Sequence, residues 1–242
     1  MQNPGYVALS RQIVLERQLA VTANNIANLN TAGFKRQGML FQEHLAEAGD
    51  GASASYVTES GSMRDLRQGA LRTTERQLDL AINGDAYFNI ETPGGLRYGR
   101  DGQFQLRADG TVVTRNDYPL LTADGLPIVV PQGASQIVVQ KNGALLADGA
   151  EIGRIALTRF NNPQALIHTA DGLYRSDDGV GEPSADAVVR QGMLESSNVN
   201  PIVELTHMLD IQRAYESAHK MTKGEHDRLT RAIREIGSID QS

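Results

Sequence analysis

Both ends of this chain carry helical patterning that a helix cannot satisfy alone. Residues 1–36 and 193–242 have apolar positions repeating at steps of three and four, while the residues between them alternate over short runs broken by turns. A single amphipathic helix has nothing to bury its apolar face against, so two such ends at opposite termini require partners. The spacing therefore predicts an α+β protein: N- and C-terminal α-helices forming an assembly domain, and a central all-β domain of short antiparallel strands. The expected partners are other copies, with neither end served by its own chain.

In the C-terminal segment, Leu205, Met208, Gln212, Tyr215, His219, Thr222, His226, Leu229, Ile233 and Ile236 follow a heptad-like seam. Beside it runs a second stripe of Ile211, Ala214, Ala218 and Met221, whose alanines let another backbone approach. Asn200 is placed to cap the helix and Pro201 to occupy its first position, with an end near Gly237, a span of roughly 55 Å. Glu216 with Lys220, and Asp227 with Arg231, stand acid-before-base at i,i+4, each worth about 0.2–0.5 kcal/mol on an exposed face. The polar middle of the seam (Gln212, His219, Thr222, His226) suits a wet or register-fixing contact better than a dry core. Read without partners, the same helix would be one wall of its own domain.

The N-terminal helix differs in kind. Leu15, Leu19, Thr22, Ile26 and Leu29 form one seam, and Leu9, Ile13, Ala20, Ala23 and Ala27 the next, with only Arg11, Glu16 and Arg17 charged before Lys35. So sparsely charged a helix suits contact on several sides, whereas the C-terminal helix carries charge on every turn. Concentric packing follows as an expectation, with the charged helix facing an aqueous lumen and the N-terminal helix outside it. The helix runs into Ala23-Asn24-Asn25-Ile26-Ala27-Asn28-Leu29-Asn30-Thr31-Ala32-Gly33-Phe34-Lys35-Arg36. Asparagine competes for backbone hydrogen bonds and is a weak helix former, so four in seven residues call for a reason. Asn24 and Asn28 share a face and could bond across a helix interface, with Gly33 taking a left-handed conformation and Phe34 folding back. A turn-prone, frayed helix end is the other reading of the same residues.

Residues 37–77 read as a connector or hinge, with Gly49-Asp50-Gly51-Ala52-Ser53-Ala54-Ser55 at its most linker-like point. From 78 to 192 the pattern is all-β: runs such as Tyr87–Ile90, Gln103–Leu106, Ile128–Val130, Gln136–Val139 and Arg154–Phe160 alternate with turn pairs. Those pairs are Asn83-Gly84, Asp101-Gly102, Asp109-Gly110, Asp124-Gly125, Asn142-Gly143, Asp148-Gly149 and Asp171-Gly172, whose glycines permit positive φ. Residues 193–242 form the C-terminal assembly helix segment.

Composition removes several function classes. A net charge of −6 without a basic stripe argues against nucleic acid as a partner. With no cysteine, disulfides, thiolate metal sites and cysteine nucleophiles are excluded. The five histidines are scattered, neither HExxH nor GxSxG occurs, and no glycine-rich loop leads into Lys-Ser or Lys-Thr. The Asp-Gly pairs lack the ligand pattern of an EF-hand loop. No catalytic residue, cofactor or metal is therefore expected. A basic, apolar leader is not seen at the start, and no apolar run approaches a membrane span of about 20 residues.

The string ANNIANLNTAGFKR resembles a signature of the flagellar basal-body rod and hook family, the axial proteins of the bacterial flagellum. Gly192–Ser217, GMLESSNVNPIVELTHMLDIQRAYES, is similar to that family's C-terminal motif, and Leu78–Phe88 with Arg100-Asp101-Gly102-Gln103-Phe104 to the segments opening its β-domain. Two departures stand out: Ala86 where glycine is usual after Gly-Asp, and Glu75-Arg76-Gln77 in place of a Gly-Asn-Pro-like turn. These put the local loop shape in question. The modest length and short connector favour a rod component over a hook protein, and a proximal over a distal position in the rod.

The resemblance implies a non-enzymatic structural subunit of the basal body. It would sit in the periplasm after passage through the flagellar type III export apparatus, partnered by copies of itself and by neighbouring axial proteins, with no nucleic acid. The subunit interface would then draw on Leu9, Ile13, Leu15, Leu19, Asn24, Asn25, Ile26, Asn28, Asn30, Gly33 and Phe34 at the N-terminus. Leu205, Met208, Gln212, Tyr215, Leu229 and Ile233 would serve it at the C-terminus. The alternative from another class is a cell-wall-binding or peptidoglycan-modifying β-domain.

Overall fold

The computed structural model describes residues 4–48, 52–169, 171–184 and 186–239, with the side chains at 4–8, 41–60, 62, 225, 229, 232, 233 and 235–239 outside that description. An N-terminal helix, a β-rich centre and a C-terminal helix follow one another, an α+β arrangement. The chain divides into two compact units. The first comprises Met1–Ala27, Gln37–Arg64 and Val199–Ser242; the second comprises Asn28–Arg36 and Asp65–Asn198.

In the first unit, helix α1 (Pro4–Ala27) packs on helix α2 (Pro201–Ile239). The expectation that both ends lack a partner in their own chain is thereby corrected. Leu15 of α1 is buried with Ile211 and Ala218 of α2, and Leu19, Ala214 and Tyr215 close around them. The contact on α2 is thus the small-residue stripe, because alanines at 214 and 218 let the helices approach more closely than the bulkier heptad positions would. Leu205 and Gln212, placed on the main seam by the sequence pattern, face solvent. Gln12 meets His219 and Thr222 near one end of the pair, and Asn25 meets Glu204 near the other, so the helices run antiparallel.

The start of α2 follows the sequence expectation. Asn200 Oδ1 accepts from the backbone N–H of Ile202 and Val203 at 3.1 and 3.3 Å, and Pro201 occupies the first helical position. The region read as a hinge is instead a β-hairpin. Strand β1 (Gln37–Ala48) pairs antiparallel with β2 (Ala52–Arg64) from Gln37↔Arg64 to Ala48↔Ala52, with one register shift between Leu40 and Phe41. The linker-like Gly49-Asp50-Gly51 lies outside the described residues.

The second unit is built of short antiparallel strands. Strand β3 (Leu71–Thr73) pairs with Met193–Glu195, and β4 (Leu80–Asn83) pairs with Val188–Gln191. Residues 193–195, at the head of the segment assigned to the C-terminal helix, therefore form a strand. Strands β5 (Tyr87–Thr92) and β6 (Gly95–Gly99) lie at the centre of a six-stranded sheet. Tyr174–Arg175 and Ile167–His168 extend it on the β6 side, and Leu157–Arg159 and Glu182–Pro183 on the β5 side. The run read as one strand over Arg154–Phe160 is split. Ala150–Arg154 pairs with Ala144–Ala147, and the chain then turns through Ile155 and Ala156 into the larger sheet. Ile128–Val130 joins by an isolated bridge, Thr111↔Val129, and not as a strand.

Leu80, Ile82, Phe88, Ile90, Phe104, Leu120 and Leu145 are fully or almost fully buried in one core, with Phe88 and Phe104 edge-to-face at 5.1 Å between ring centroids. Of the seven predicted turn pairs, six place their glycine at positive φ. At Asp148-Gly149 both residues are left-handed, as a two-residue hairpin loop requires. Gly102 is the exception, because its role is proximity: a Cβ there would collide with the carbonyl of Leu80. Glu75, standing where the family's usual turn has glycine, keeps a left-handed backbone at φ 65° without one.

Candidate functional site

Each terminal signature supplies a buried polar junction to both units. In the first unit the junction centres on Asn25, which is 1% exposed at the end of α1. Its side chain treats Gln37 as a β-strand neighbour would: Nδ2 donates to the Gln37 carbonyl at 2.8 Å, and Oδ1 accepts from the Gln37 N–H at 2.9 Å. Nδ2 also donates to Glu204 Oε2 at 3.2 Å, and Glu204 is equally buried. One amide thus joins the end of α1, the first residue of β1 and the first turn of α2. This gives Asn25 the reason its helix-weakening character demanded. Gln12 makes a second polar tie, with Nε2 at 3.1 Å from His219 Nδ1 and Oε1 accepting from Thr222 Oγ1 at 3.3 Å. The polar middle of the α2 seam therefore sets register within the chain at these two positions.

In the second unit the junction is ionic. Glu195 (2% exposed) lies between Lys35 (4%) and Arg100 (7%). Oε1 accepts from Lys35 Nζ at 2.5 Å and from the Gly69 N–H at 3.0 Å, while Oε2 accepts from Arg100 Nε at 3.0 Å and Nη2 at 2.7 Å. Arg100 Nη1 donates to the carbonyls of Gly84 and Ala86, and Lys35 donates to the Arg67 carbonyl at 2.9 Å. Ala86, the departure from the usual glycine, is fully buried and keeps its carbonyl in this role. Burial pulls the Lys35 ammonium below the ordinary lysine range, outweighing the upward pull of Glu195's charge and hydrogen bond.

The backbone supports the same junction. The Gly33 N–H donates to the Glu195 carbonyl at 2.8 Å. With φ at +67°, Gly33 lies so close to Arg100 that an added Cβ would sit 2.5 Å from its carbonyl carbon. Gly33 thus does not end the helix, which stops at Ala27; it lets the following segment pass beside Arg100. Lys35, Arg100 and Glu195 were not singled out by periodicity. The available signal was a charge that follows small or apolar residues in each signature segment: Gly33-Phe34-Lys35, Tyr98-Gly99-Arg100 and Met193-Leu194-Glu195.

The remaining interface candidates separate by exposure. Leu9, Ile13 and Leu205 are 48%, 46% and 51% exposed, and Ile202 and Leu209 extend the Leu205 position into an outward apolar stripe on α2. Gln212, Asn24 and Asn30 are exposed, whereas Met208, Ile26, Asn28 and Phe34 are half-buried. Leu15, Leu19 and Tyr215 are used between α1 and α2. The side chains of Leu229 and Ile233 lie outside the described residues. No helix among the described residues is apolar enough over a sufficient length to cross a membrane.

Three segments of the chain match known protein families. Residues 6–35 match the flagella basal body rod protein family, residues 81–147 the flagellar hook protein FlgE/F/G D1 domain, and residues 190–235 the flagellar basal body rod FlgEFG protein C-terminal family. The flagellar basal-body rod protein FlgF of Caulobacter vibrioides is 38% identical, covering 99% of this chain and 100% of its own length. FlgF of Rhizobium meliloti is 37% identical over 98% of this chain and 99% of its own length. The flagellar basal-body rod protein FlgG of Bacillus subtilis is 32% identical over 89% of this chain and 92% of its own. Full-length relationship at this level, with all three signature regions matched, shows that this chain belongs to the flagellar basal-body rod protein family, as a structural subunit and not an enzyme.

Proposed function

We propose that this chain is a proximal component of the rod, polymerising through its terminal helices with copies of itself and with neighbouring axial proteins into a hollow shaft that transmits torque. The observation that carries the reading is the exposed stripe Ile202, Leu205 and Leu209, at 75%, 51% and 54% exposure, on a helix whose other apolar stripe is already covered by α1. Such a stripe is surplus to the α1–α2 contact and suits a neighbouring subunit; full burial of each side chain would contribute about 1.5–3 kcal/mol. The charged residues of α2 would face an aqueous lumen, with α1 on the outer side and the β-rich unit as a stiffening collar. Near-complete coverage of relatives named FlgF supports the proximal position. Delivery through the flagellar type III export apparatus to the periplasm completes the proposal.

Leu205→Asp tests it, since an exposed position can take a charge without disturbing the core. The variant should fold with unchanged circular dichroism and β-unit stability, yet fail to enter rods, leaving cells non-motile. Intact rods and normal swimming with this variant would refute the role given to α2.

A further inference from the structure

The junction at Glu195 sets two buried cations against one buried anion. Asp65, the other acid that acts on Lys35, is held by Arg67 through bonds to both carboxylate oxygens and so forms a neutral pair of its own. Lysine offers three N–H donors and arginine five. Two of Lys35's are engaged, by the Arg67 carbonyl and Glu195, and four of Arg100's, by Glu195 and the carbonyls of Gly84 and Ala86. One donor on each remains. Both residues line a single cleft of about 370 Å³, together with Leu66 and Asn161 on its walls and Arg159 at its exposed side. Asp85 also lines it, but is exposed and makes no ion pair with either cation among the described residues. A buried positive charge without its anion is unfavourable, and this one borders a cavity large enough to admit a charged side chain.

We propose that this cleft receives a carboxylate, and that in the assembled rod the carboxylate belongs to an acidic side chain of an adjacent copy of this chain. The charge balance favours that occupant. With 29 acidic against 23 basic residues, the surface a neighbour presents is rich in carboxylates, and copies packed together must relieve their mutual repulsion. A carboxylate matches the two spare N–H donors, and the contact would be charge-assisted on both sides. The copy as occupant rests on the assembly function proposed above, whereas carboxylate binding by the single chain does not.

The test starts with the full chain in its unassembled form, titrated with acetate at constant ionic strength and followed by nitrogen NMR of Arg100 Nε–H and Lys35 Nζ. Acetate should shift both signals saturably. Acetamide, its neutral counterpart, should bind at least about tenfold more weakly, the loss expected when a charge-assisted bond is removed. Leu66→Trp, which fills the cleft without replacing a charged residue, should abolish the acetate response while the Lys35–Glu195 contact persists. Equal responses to acetate and acetamide, saturation by phosphate alone, or no saturable shift would each overturn the site. A photo-cross-linker at Asn161 in assembled rods should then capture an Asp- or Glu-bearing peptide of the same chain. Capture only of other proteins would overturn the copy as occupant. Rods that form normally with Leu66→Trp but not with Leu205→Asp would sink the cleft's part in assembly while leaving the function of α2 intact.

Discussion

The carboxylate of Glu195 lies 2.5 Å from the Lys35 ammonium across 160 residues of sequence, with both side chains almost fully buried. Removing either partner has unequal consequences. Glu195→Gln leaves Lys35 and Arg100 buried together without an anion and should cost about 3–5 kcal/mol. Lys35→Met leaves Glu195 its bonds to Arg100 and the Gly69 N–H, and should cost about 1–3 kcal/mol. Urea melts of the two variants give the order, and a larger loss for Lys35→Met would contradict the arrangement.

Gly33→Ala combines a left-handed backbone with a collision against the Arg100 main chain. The strain alone is of order 1–3 kcal/mol, and backbone cannot yield as a flexible side chain would. A thermal melt should show a marked loss of stability in the second unit, whereas a substitution at Gly125, where a Cβ would meet open space, should show only the backbone cost.

Asn25→Asp removes the amide that donates to both Gln37 and Glu204 and sets a carboxylate against the buried Glu204 side chain. The loss should be about 3 kcal/mol, from unsatisfied buried groups and like-charge repulsion. Faster hydrogen exchange at the Gln37 amide and the first turn of α2 is the expected readout. Unchanged protection there would show that the amide does not hold these elements.

Burial holds the Asp101 carboxyl above its ordinary range, with nearby Asp79 adding to the effect, while the Gln103 N–H and Arg115 oppose it. For an acid raised on folding, the favourable contribution is complete below the unfolded value of 3.8 and is lost as pH climbs through the folded value. Asp101→Asn keeps the acceptor that binds the Gln103 N–H at 3.0 Å but carries no charge. The variant should therefore be the more stable protein at neutral pH, with its advantage shrinking as the pH falls through the raised folded value towards 3.8 and gone below it. Denaturant melts across that range decide the sign.

Local chemistry was legible in the sequence wherever a residue acts on its own neighbours. Asn200 before Pro201 announced a capped helix, and glycines after Asp or Asn announced turns, because caps and turns are set within a few residues. The heptad pattern of α2 misled because periodicity says which positions are apolar, not which stripe a partner will choose; Ala214 and Ala218 won by their size. The pairing of β1 with β2 was hidden because it lies in register, not in composition. The Lys35–Arg100–Glu195 junction was invisible to pattern analysis, since three charges so far apart along the chain carry no period. Only their shared presence in separate signature segments hinted that they meet.

The strand Met193–Glu195 closes against β3 and completes the ionic junction, and it comes late in the polypeptide. A ribosome delivers Lys35 and Arg100 long before their shared anion. A nascent chain accordingly holds two cations and an unpaired β3 edge until nearly all of it has been made, and the same delay applies to Asn25 while it awaits Glu204. Contacts so distant along the chain must meet the entropy of closing long loops before they form, which slows the folding of the unit they complete.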